Sequence, residues 1–486
     1  MNAAAAGRKF EKLSLKLKLG FAAGQLVDGV VTNSLGIFLL FYLTTVCGLP
    51  GGLAGAALSV GLVVDALLDP LIGSFSDAWR SRLGRRLPFM LVGAPAVGLL
   101  FVLIFSLPQG WSGTALFVWV TALSVLLRVA MSLFLLPFQA VGAEISDDAD
   151  ERSSLVAWRW GVGMLGALVA LLLGFGVFFA GPGGLSQRAG YTPFALTLAV
   201  IVLLGAAASV WAVAAMRNRQ YAPTHGEGPN LAQLGRELKE VFRNRSFRVL
   251  FLGALMFFVA LGTNMSLGLH ANTFFWHLTT AQTQTVTLAG FAGLLAGAPL
   301  AGPMLARMEK RSVLIIGMAG LAAGQGLPVA LRLLGLLDLS GSGLSILLAG
   351  VGFLGGALMA AAAIAFGSMM ADAADEHEHL FGARREGLYF AGWAFASKAA
   401  IGGGTLVAGL VLQAIAFPTD LAKTGGTVQA LPEHMSTMLG FFFGPGSALL
   451  TVGAVLLTWM YRLDRKTHAS ILNDLAARRA GGLAHV

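Results

Sequence analysis

The chain contains many runs of consecutive apolar residues, and this feature decides what it can fold into. Residues 165–180 (LGALVALLLGFGVFFA) are one example. A helix needs about 20 mostly apolar residues to cross the hydrocarbon core of a bilayer. The strands of a membrane barrel would instead alternate apolar and polar residues, and this run does not alternate. The sequence therefore predicts an all-α protein that spans a membrane several times.

The overall composition agrees with this prediction. Of 486 residues, 56% are hydrophobic and only 12% are charged, whereas a soluble domain has roughly a quarter of its residues charged. The net charge of +9 does not indicate a nucleic-acid surface, because the basic residues lie in short loops and form no single patch. The single cysteine, Cys47, excludes an internal disulfide and a metal site built from cysteines.

The apolar runs predict twelve membrane-spanning helices. They are placed at 20–46, 52–76, 87–107, 113–142, 155–180, 192–216, 247–277, 284–307, 312–334, 343–371, 387–415 and 436–461. Lysine and arginine are concentrated in alternate loops, which predicts that both termini are cytoplasmic. We expect the chain to lie in the cell (inner) membrane.

A long hydrophilic segment divides the chain near its middle. We predict an N-terminal six-helix bundle at 1–216, a cytoplasmic middle loop at 217–246, a C-terminal six-helix bundle at 247–461 and a cytoplasmic tail at 462–486. Two six-helix halves related by a parallel repeat indicate the major facilitator architecture, with the site between the halves near the middle of the membrane.

Six charged residues fall well inside the predicted spans, away from their ends, where each charge costs several kcal/mol and so indicates function. They are Asp28, Asp65, Asp69, Arg128, Arg159 and Lys398. The three acids balance the three bases, so the set can pair internally. Arg128 and Lys398 are the expected charge-balancing residues.

Asp65 and Asp69 lie four residues apart on the second span, so both carboxylates share one helix face. Two neighbouring carboxylates repel each other, and a bound proton or cation relieves that repulsion. The pair is therefore the predicted cation site, and Ser132 could supply a further oxygen. In the alternative interpretation, Arg128 or Lys398 pins each aspartate and the groups only hold helices together.

A second group of residues is predicted to bind substrate. Gln25 and Asp28 lie three apart on the first span, and a carboxylate beside an amide suits a ligand rich in hydroxyl groups. Arg159 and Gln139 complete the predicted pocket, although a salt bridge between Asp28 and Arg159 would be a structural alternative. Lys398 is expected near the same pocket.

Aromatic and polar residues extend this set. The candidate pocket aromatics are Trp158, Trp160, Trp276, Tyr389 and Trp393, of which Trp160 and Trp393 are the predicted substrate contacts. Asn264, His270, Asn272 and His277 make the seventh span polar, and that face is expected to line the cavity. The run at 375–379 (DEHEH) resembles a metal site but is predicted to be a solvated loop, so no metal site is expected.

Other function classes lack their motifs. The chain contains no GxxxxGK[ST] phosphate-binding loop, so an ATP-driven pump is not expected unless another chain supplies the ATPase. No nucleophile-and-base arrangement occurs in the loops, so we do not expect an enzyme, and no cofactor is predicted beyond Na⁺ or H⁺ as coupling ion.

Several stretches resemble the glycoside–pentoside–hexuronide:cation symporter family of the major facilitator superfamily. In the first half these are residues 16–24 (KLKLGFAAG), 41–50 (FYLTTVCGLP), 64–77 (VDALLDPLIGSFSD), 80–89 (RSRLGRRLPF), 136–144 (LPFQAVGAE), 150–152 (DER) and 157–159 (AWR). In the second half they are residues 371–372 (AD), 384–387 (RREG) and Lys398. The resemblance implies symport of a sugar or glycoside with Na⁺, Li⁺ or H⁺.

The resemblance also implies roles for individual residues. Asp65 and Asp69 match the family's two cation-binding aspartates, and Ser132 falls where the family can place a hydroxyl ligand. Lys398 matches a lysine near the site. Arg159 and Asp28 lie within about one residue of sugar-contacting positions.

Some positions depart from the family pattern, and others suggest a gate. Leu68 replaces an asparagine beside the cation site, which favours H⁺ over Na⁺. Leu135 and Gln139 replace a sugar-binding aspartate and tryptophan, which argues against a galactoside. Asp77 and Arg86 resemble the superfamily's cytoplasmic latch and would stabilise one conformer.

The expected function is cation-coupled symport of a sugar, glycoside or similar small polar solute by alternating access. Because the wider family includes animal symporters of lysolipids, an amphiphilic substrate is the alternative. A non-transporting receptor or an enzyme subunit is a third interpretation. We expect a monomer in contact with membrane lipid, with no nucleic-acid partner.

Overall fold

The computed structural model describes residues 13–146, 148–217, 239–383, 385–418 and 431–483. These parts of the chain contain twelve helices long and apolar enough to cross a membrane, so the predicted all-α fold is confirmed. The spans are α1 (Leu15–Leu39), α2 (Gly51–Ala78), α3 (Leu87–Phe105), α4 (Gly113–Glu144), α5 (Ala149–Phe178), α6 (Arg188–Ala215), α7 (Arg245–Phe275), α8 (Thr280–Arg307), α9 (Lys310–Leu333), α10 (Gly341–Phe381), α11 (Glu386–Ala414) and α12 (Glu433–Trp459).

The spans form two halves, α1–α6 and α7–α12, and the first spans of the two halves share one feature. Both α1 and α7 have a π-helical turn at their C-terminal end, at Leu35–Leu39 and Ala271–Phe275. Most of the predicted middle loop lies outside the described residues, and α7 already begins at Arg245. The likeness between α1 and α7 agrees with a parallel repeat of six helices.

Both faces of the helix bundle can be recognised from the loops. We call the side that carries the loop at 79–86, the first residue of α1 and the last of α12 the basic face, and the other side the opposite face. Ion pairs join the loops of the basic face, as when Arg86 contacts Glu144 at the end of α4 at 2.6 Å. Lys18 at the start of α1 likewise lies 3.6 Å from Glu151 on α5.

The two halves are closed against each other near the opposite face. Gly51 of α2 and Gly409 of α11 approach so closely that a Cβ on Gly409 would lie 2.3 Å from the Gly51 carbonyl oxygen. Beside this contact, the Thr44 hydroxyl and the His270 Nε2 are 2.8 Å apart, and both residues are buried. Glycine is required at both positions because a Cβ atom on either residue would keep the two backbones apart.

α10 continues about ten residues beyond its predicted end. The prediction that residues 375–379 form a solvated loop is wrong, because they belong to the last turns of α10 and His377 is fully buried. The His377 ring packs against Tyr389 and Phe381. No group of three or more metal-ligating side chains is found among the residues that the structure describes.

The predicted tail contains a further helix, α13 (Arg465–Leu483), which docks on the basic face of the second half. The His468 Nε2 lies 3.1 Å from an Asp375 carboxylate oxygen on α10. The Arg465 guanidinium donates to the carbonyl of Met308 at 2.6 Å and also to that of Leu305, so it caps the end of α8. The buried Ile471 contributes an apolar contact to the same interface.

Candidate functional site

The predicted cation-site residues lie together in the middle of the molecule. Asp65 and Asp69 occupy the central turns of α2 and point to the same side, as their four-residue spacing requires. Pro70 follows directly and has no N–H to donate to the carbonyl of Ala66, so α2 is locally loosened next to the acidic pair. The sequence thus places two carboxylates and a weakened helix turn at one point.

Groups from two other helices contact both carboxylates. The Ser132 Oγ on α4 lies 2.7 Å from an Asp65 oxygen and 2.7 Å from an Asp69 oxygen. The Lys398 Nζ on α11 lies 2.9 Å from Asp65 and also forms an ion pair with Asp69. Because Lys398 belongs to the second half and the other three residues to the first, this cluster joins the two halves through charge.

Arg128 lines the same cavity but has no ion-pair partner within the described residues. It lies one helical turn before Ser132 on α4, and its side chain is half-buried in the wall of the cavity. Arg128 therefore does not pin an aspartate by direct pairing, as the alternative interpretation allowed, and its role in charge balance stays a prediction. Its charge acts on Asp65, Asp28 and Asp69 only at longer range.

The predicted substrate residues of α1 form a connected hydrogen-bond network. The Gln25 Nε2 donates to an Asp28 oxygen at 3.0 Å, and the Thr32 hydroxyl donates to the other Asp28 oxygen at 2.8 Å. Thr32 was not selected from the sequence, although its position four residues after Asp28 on one helix is a usable signal. The network holds the Asp28 carboxylate towards the cavity.

Arg159 joins this network through Gln25. Its Nε and Nη2 both lie 3.3 Å from the Gln25 Oε1, and its guanidinium stacks 4.9 Å from the centre of the Phe138 ring. No ion pair between Arg159 and Asp28 is found in the described part of the chain, so the structural alternative of a salt bridge is not the arrangement seen. Arg159 therefore keeps donors available to a ligand.

Two adjoining cavities occupy the space between the halves. The first, of about 420 Å³, is lined by the acidic pair, Arg128 and Lys398; the second, of about 460 Å³, by Arg159 and Trp160. They share two lining residues, Asp28 and Gln139. Together they connect the cation-site residues with the predicted substrate residues.

The second cavity is open at its side. Trp160 is 72% exposed, and Phe291 and Leu294 of α8 face it across the cavity. α5 and α8 meet near the opposite face, where a Cβ on Gly176 would lie 3.4 Å from the Gln284 amide nitrogen. The cavity is therefore closed at the opposite face and accessible between α5 and α8.

Several predicted residues lie elsewhere. The expected substrate contact by Trp393 is not supported, because its ring packs on Phe366 and Phe390 and lines a separate apolar cavity of the second half. Trp276 lines another cavity of that half, and Tyr389 is buried near the basic face.

The polar face of α7 also differs from the expectation. Asn264 and Asn272 line the cavity inside the second half and not the central one. His270 is buried at its contact with Thr44, which belongs to the seal, the contact that closes the two halves near the opposite face. His277 is exposed beyond the end of α7. None of these four side chains lines either central cavity.

The predicted latch residues form an ion pair on the basic face. Arg86 lies 2.9 Å from Asp77 and 2.6 Å from Glu144, and Arg85 also contacts Glu144. Burial lowers the pKa of the Arg86 guanidinium, and the carboxylates of Glu144 and Asp77 partly offset this effect. Glu144 was missed as a member, although it belongs to one of the resembling stretches.

Comparison with known proteins places the chain in a family. A family model described as MFS/sugar transport protein matches residues 20–465. The uncharacterized symporter sll1374 of Synechocystis sp. is 25% identical over 96% of this chain and 98% of its own length. The sodium-dependent lysophosphatidylcholine symporter 1 of Xenopus tropicalis is 32% identical over 32% of this chain and 30% of its own length.

A solved structure supports the fold. The nucleoside transporter NupG superposes with a TM-score of 0.62 at 14% identity, covering 92% of this chain and 99% of that chain. The protein is a transporter and not an enzyme. It is a multi-pass membrane protein that belongs to the major facilitator superfamily and, within it, to the glycoside–pentoside–hexuronide:cation symporter family.

Proposed function

We propose that this protein is a cation-coupled symporter of a sugar, glycoside or similar small polar solute, working by alternating access with Na⁺ or H⁺ as coupling ion. The observation that carries the proposal is the position of Lys398. Its ammonium group, on the second half, contacts both Asp65 and Asp69 on the first half. A cation that binds the two carboxylates must compete with Lys398 and thereby loosen the contact between halves.

The chemistry of the cluster suits such a competition. The carboxylates of Asp65 and Asp69 and the hydroxyl of Ser132 present only oxygen atoms, which hard cations prefer. A proton would instead bind one carboxylate directly. In either case the negative charge that attracts Lys398 decreases, and the conformer held by that ion pair loses stability.

The substrate pocket adjoins this cluster. Asp28, held by Gln25 and Thr32, can accept hydrogen bonds from neighbouring hydroxyl groups, and Arg159 offers donors on the other side. A ligand with several hydroxyl groups satisfies both. Ion and solute affinities are then coupled through the shared charges, and such coupling is reciprocal.

The distribution of basic residues supports one orientation of the protein in the membrane. If the basic face is cytoplasmic, both termini are cytoplasmic as well, and the arginine-rich loop at 79–86 follows the positive-inside rule. The protein would lie in the cell (inner) membrane, with its cavity closed towards the outside. We infer that one chain suffices, because the two adjoining cavities between its halves contain the cation-site residues and the substrate residues together.

The test is gradient-driven uptake in proteoliposomes. Asp65→Asn and Asp69→Asn should each abolish uptake driven by an imposed Na⁺ or pH gradient. The neutral amide cannot bind a cation in place of the Lys398 ammonium group. Asp375→Asn is the matched control, since Asp375 contacts α13 on the basic face and lies outside the cavity. Uptake that still responds to either gradient in an Asp65 or Asp69 variant would show the coupling assignment to be mistaken.

A lysolipid or other amphiphile is the second candidate substrate. It is favoured by the opening between α5 and α8, where Trp160, Phe291 and Leu294 offer an apolar wall reachable from lipid. The partial similarity to a lysophosphatidylcholine symporter points the same way. Uptake of a lysolipid panel and a sugar panel by the same vesicles separates the two, because only one panel should saturate and compete.

A further inference from the structure

The second half contains a cavity that the transport proposal does not use. It measures about 220 Å³ and is lined by residues of α7, α8, α9, α10 and α12 and by Trp276, in the part of the bundle near the opposite face. Among the described residues, its lining shares none with the two central cavities. Asn264 of α7 lines this cavity, while the next residues, Met265 and Ser266, line the central one, so α7 separates the two.

Polar groups without partners converge on this cavity. The Gln325 Oε1 on α9 is buried and accepts no hydrogen bond. No hydrogen bond of the Asn272 amide or of the Trp276 indole N–H is found in the part of the chain that the structure describes. Inside a membrane, unpaired polar groups are costly because lipid offers no partners. Their convergence indicates a polar occupant.

The backbone around the cavity is irregular at two places. Asn272 lies in the π-helical turn Ala271–Phe275 of α7, and Phe443 lies in the π-helical turn Phe442–Gly446 of α12. The Asn264 amide donates to the Phe443 carbonyl at 3.1 Å and so ties the two helices together beside the cavity. Such turns are rare and occur frequently at functional sites.

We propose that this cavity binds a small, uncharged molecule with several hydroxyl groups, separate from the central site. The lining contains no acidic or basic side chain, so a charged ligand would be desolvated without compensation. Carboxamides both donate and accept hydrogen bonds, as hydroxyl groups do, which matches Gln325 and Asn272 to such a ligand. The cavity is smaller than pockets for drug-sized ligands, which limits the occupant to a short polyol or a single sugar ring.

The experiment measures equilibrium binding of radiolabelled glycerol, xylitol and D-xylose to the full chain in lipid nanodiscs. All proteins carry Asp28→Asn, which removes the carboxylate shared by the two central cavities and so weakens binding of a hydroxyl-rich ligand there. We expect one equivalent of at least one probe to bind. Gln325→Leu and Asn272→Leu should each weaken that binding about tenfold, because a buried group of the ligand loses its partner.

Two further variants make the result decisive. Gln284→Leu carries the same change of side chain at the contact between α5 and α8, outside the cavity, and should bind the probe with unchanged affinity. Val351→Phe fills part of the cavity without altering a polar group and should abolish binding, which covers the case that a leucine variant fails to fold.

Either of two results would overturn the proposal. One is the absence of binding by all three probes, which would mean that the cavity holds water only. The other is binding that survives Gln325→Leu and Val351→Phe together. Because uptake is not measured, a failure of the transport proposal would leave this outcome unaffected.

Discussion

The ion pair between Lys398 and the two aspartates should decide which conformer the protein occupies. In the structure, this contact exists together with a closed opposite face. When the halves rotate to the alternative conformer, α2 and α11 separate and the contact is lost. Lys398→Met keeps the length of the side chain but removes its charge, so it should destabilise the observed conformer relative to the alternative.

The size of the effect follows from the geometry. At the 2.9 Å that separates Lys398 from Asp65, two unit charges attract each other by roughly 6 kcal/mol at an effective dielectric constant of 20 and by about 1.4 kcal/mol in water. Since the Lys398 side chain is 36% exposed to the cavity, solvent screens much of this attraction. A net effect of about 2 kcal/mol, or about thirtyfold in the equilibrium between conformers, is the expected result.

The assay is a distance measurement by double electron–electron resonance. Spin labels at Ser81 and Leu380 report on the two halves at the basic face, in a Cys47→Ser background that removes the single native cysteine. Lys398→Met should shift the population towards the shorter distance. The double variant Asp65→Asn/Asp69→Asn should shift it equally, and adding Lys398→Met to that variant should cause no further change.

A matched control is available within the second half. Lys310 lies 2.6 Å from Asp372, and both residues belong to the second half. Lys310→Met breaks an ion pair of similar geometry without breaking a contact between halves, so it should leave the distances unchanged. The reasoning is refuted if Lys398→Met and Lys310→Met give the same distance distribution. It is also refuted if Lys398→Met shifts the distances further when it is combined with Asp65→Asn/Asp69→Asn.

Two further predictions concern the seal and the latch. Gly409→Leu should prevent closure of the opposite face and abolish uptake, because a Cβ there would lie 2.3 Å from the Gly51 carbonyl oxygen. Gly403→Ala on the same helix, whose Cβ would meet its nearest neighbour at 3.7 Å, should retain uptake; equal uptake by both variants would contradict the seal. Arg86→Ala should lower stability by about 3 kcal/mol, since Arg86 is buried between two carboxylates. Thermal melting in detergent measures this loss, and exposed Arg82→Ala should melt as the unchanged protein does.

The spans could be predicted from the sequence because length and apolar composition alone define them. The end of α10 could not. Its last turns contain Asp372, Asp375 and Glu378, which suggested a solvated segment. These carboxylates are contacted by Lys310 and by His468 and Arg479 of α13, which lie far away in the sequence. No local pattern reveals such partners.

Some features of the candidate site could likewise be predicted from the sequence and others could not. The common face of Asp65 and Asp69 follows from helix geometry, and the structure places both in one cavity with Ser132. The predicted position of Trp393 was wrong because the prediction did not consider the angle around the helix axis between Trp393 and Lys398. Five residues correspond to roughly 140° around a helix, so a tryptophan there points away from the cavity that Lys398 faces.

The docked helix α13 has a consequence for how the protein is assembled. Its contacts reach back to the end of α8 and to the last turns of α10, across more than eighty residues of sequence. During synthesis, α8 and α10 enter the membrane well before α13 leaves the ribosome. The basic face of the second half therefore stays incompletely packed until translation has passed residue 465. A protein fused directly behind α13 would delay this step, so a reporter attached there should be joined by a flexible linker.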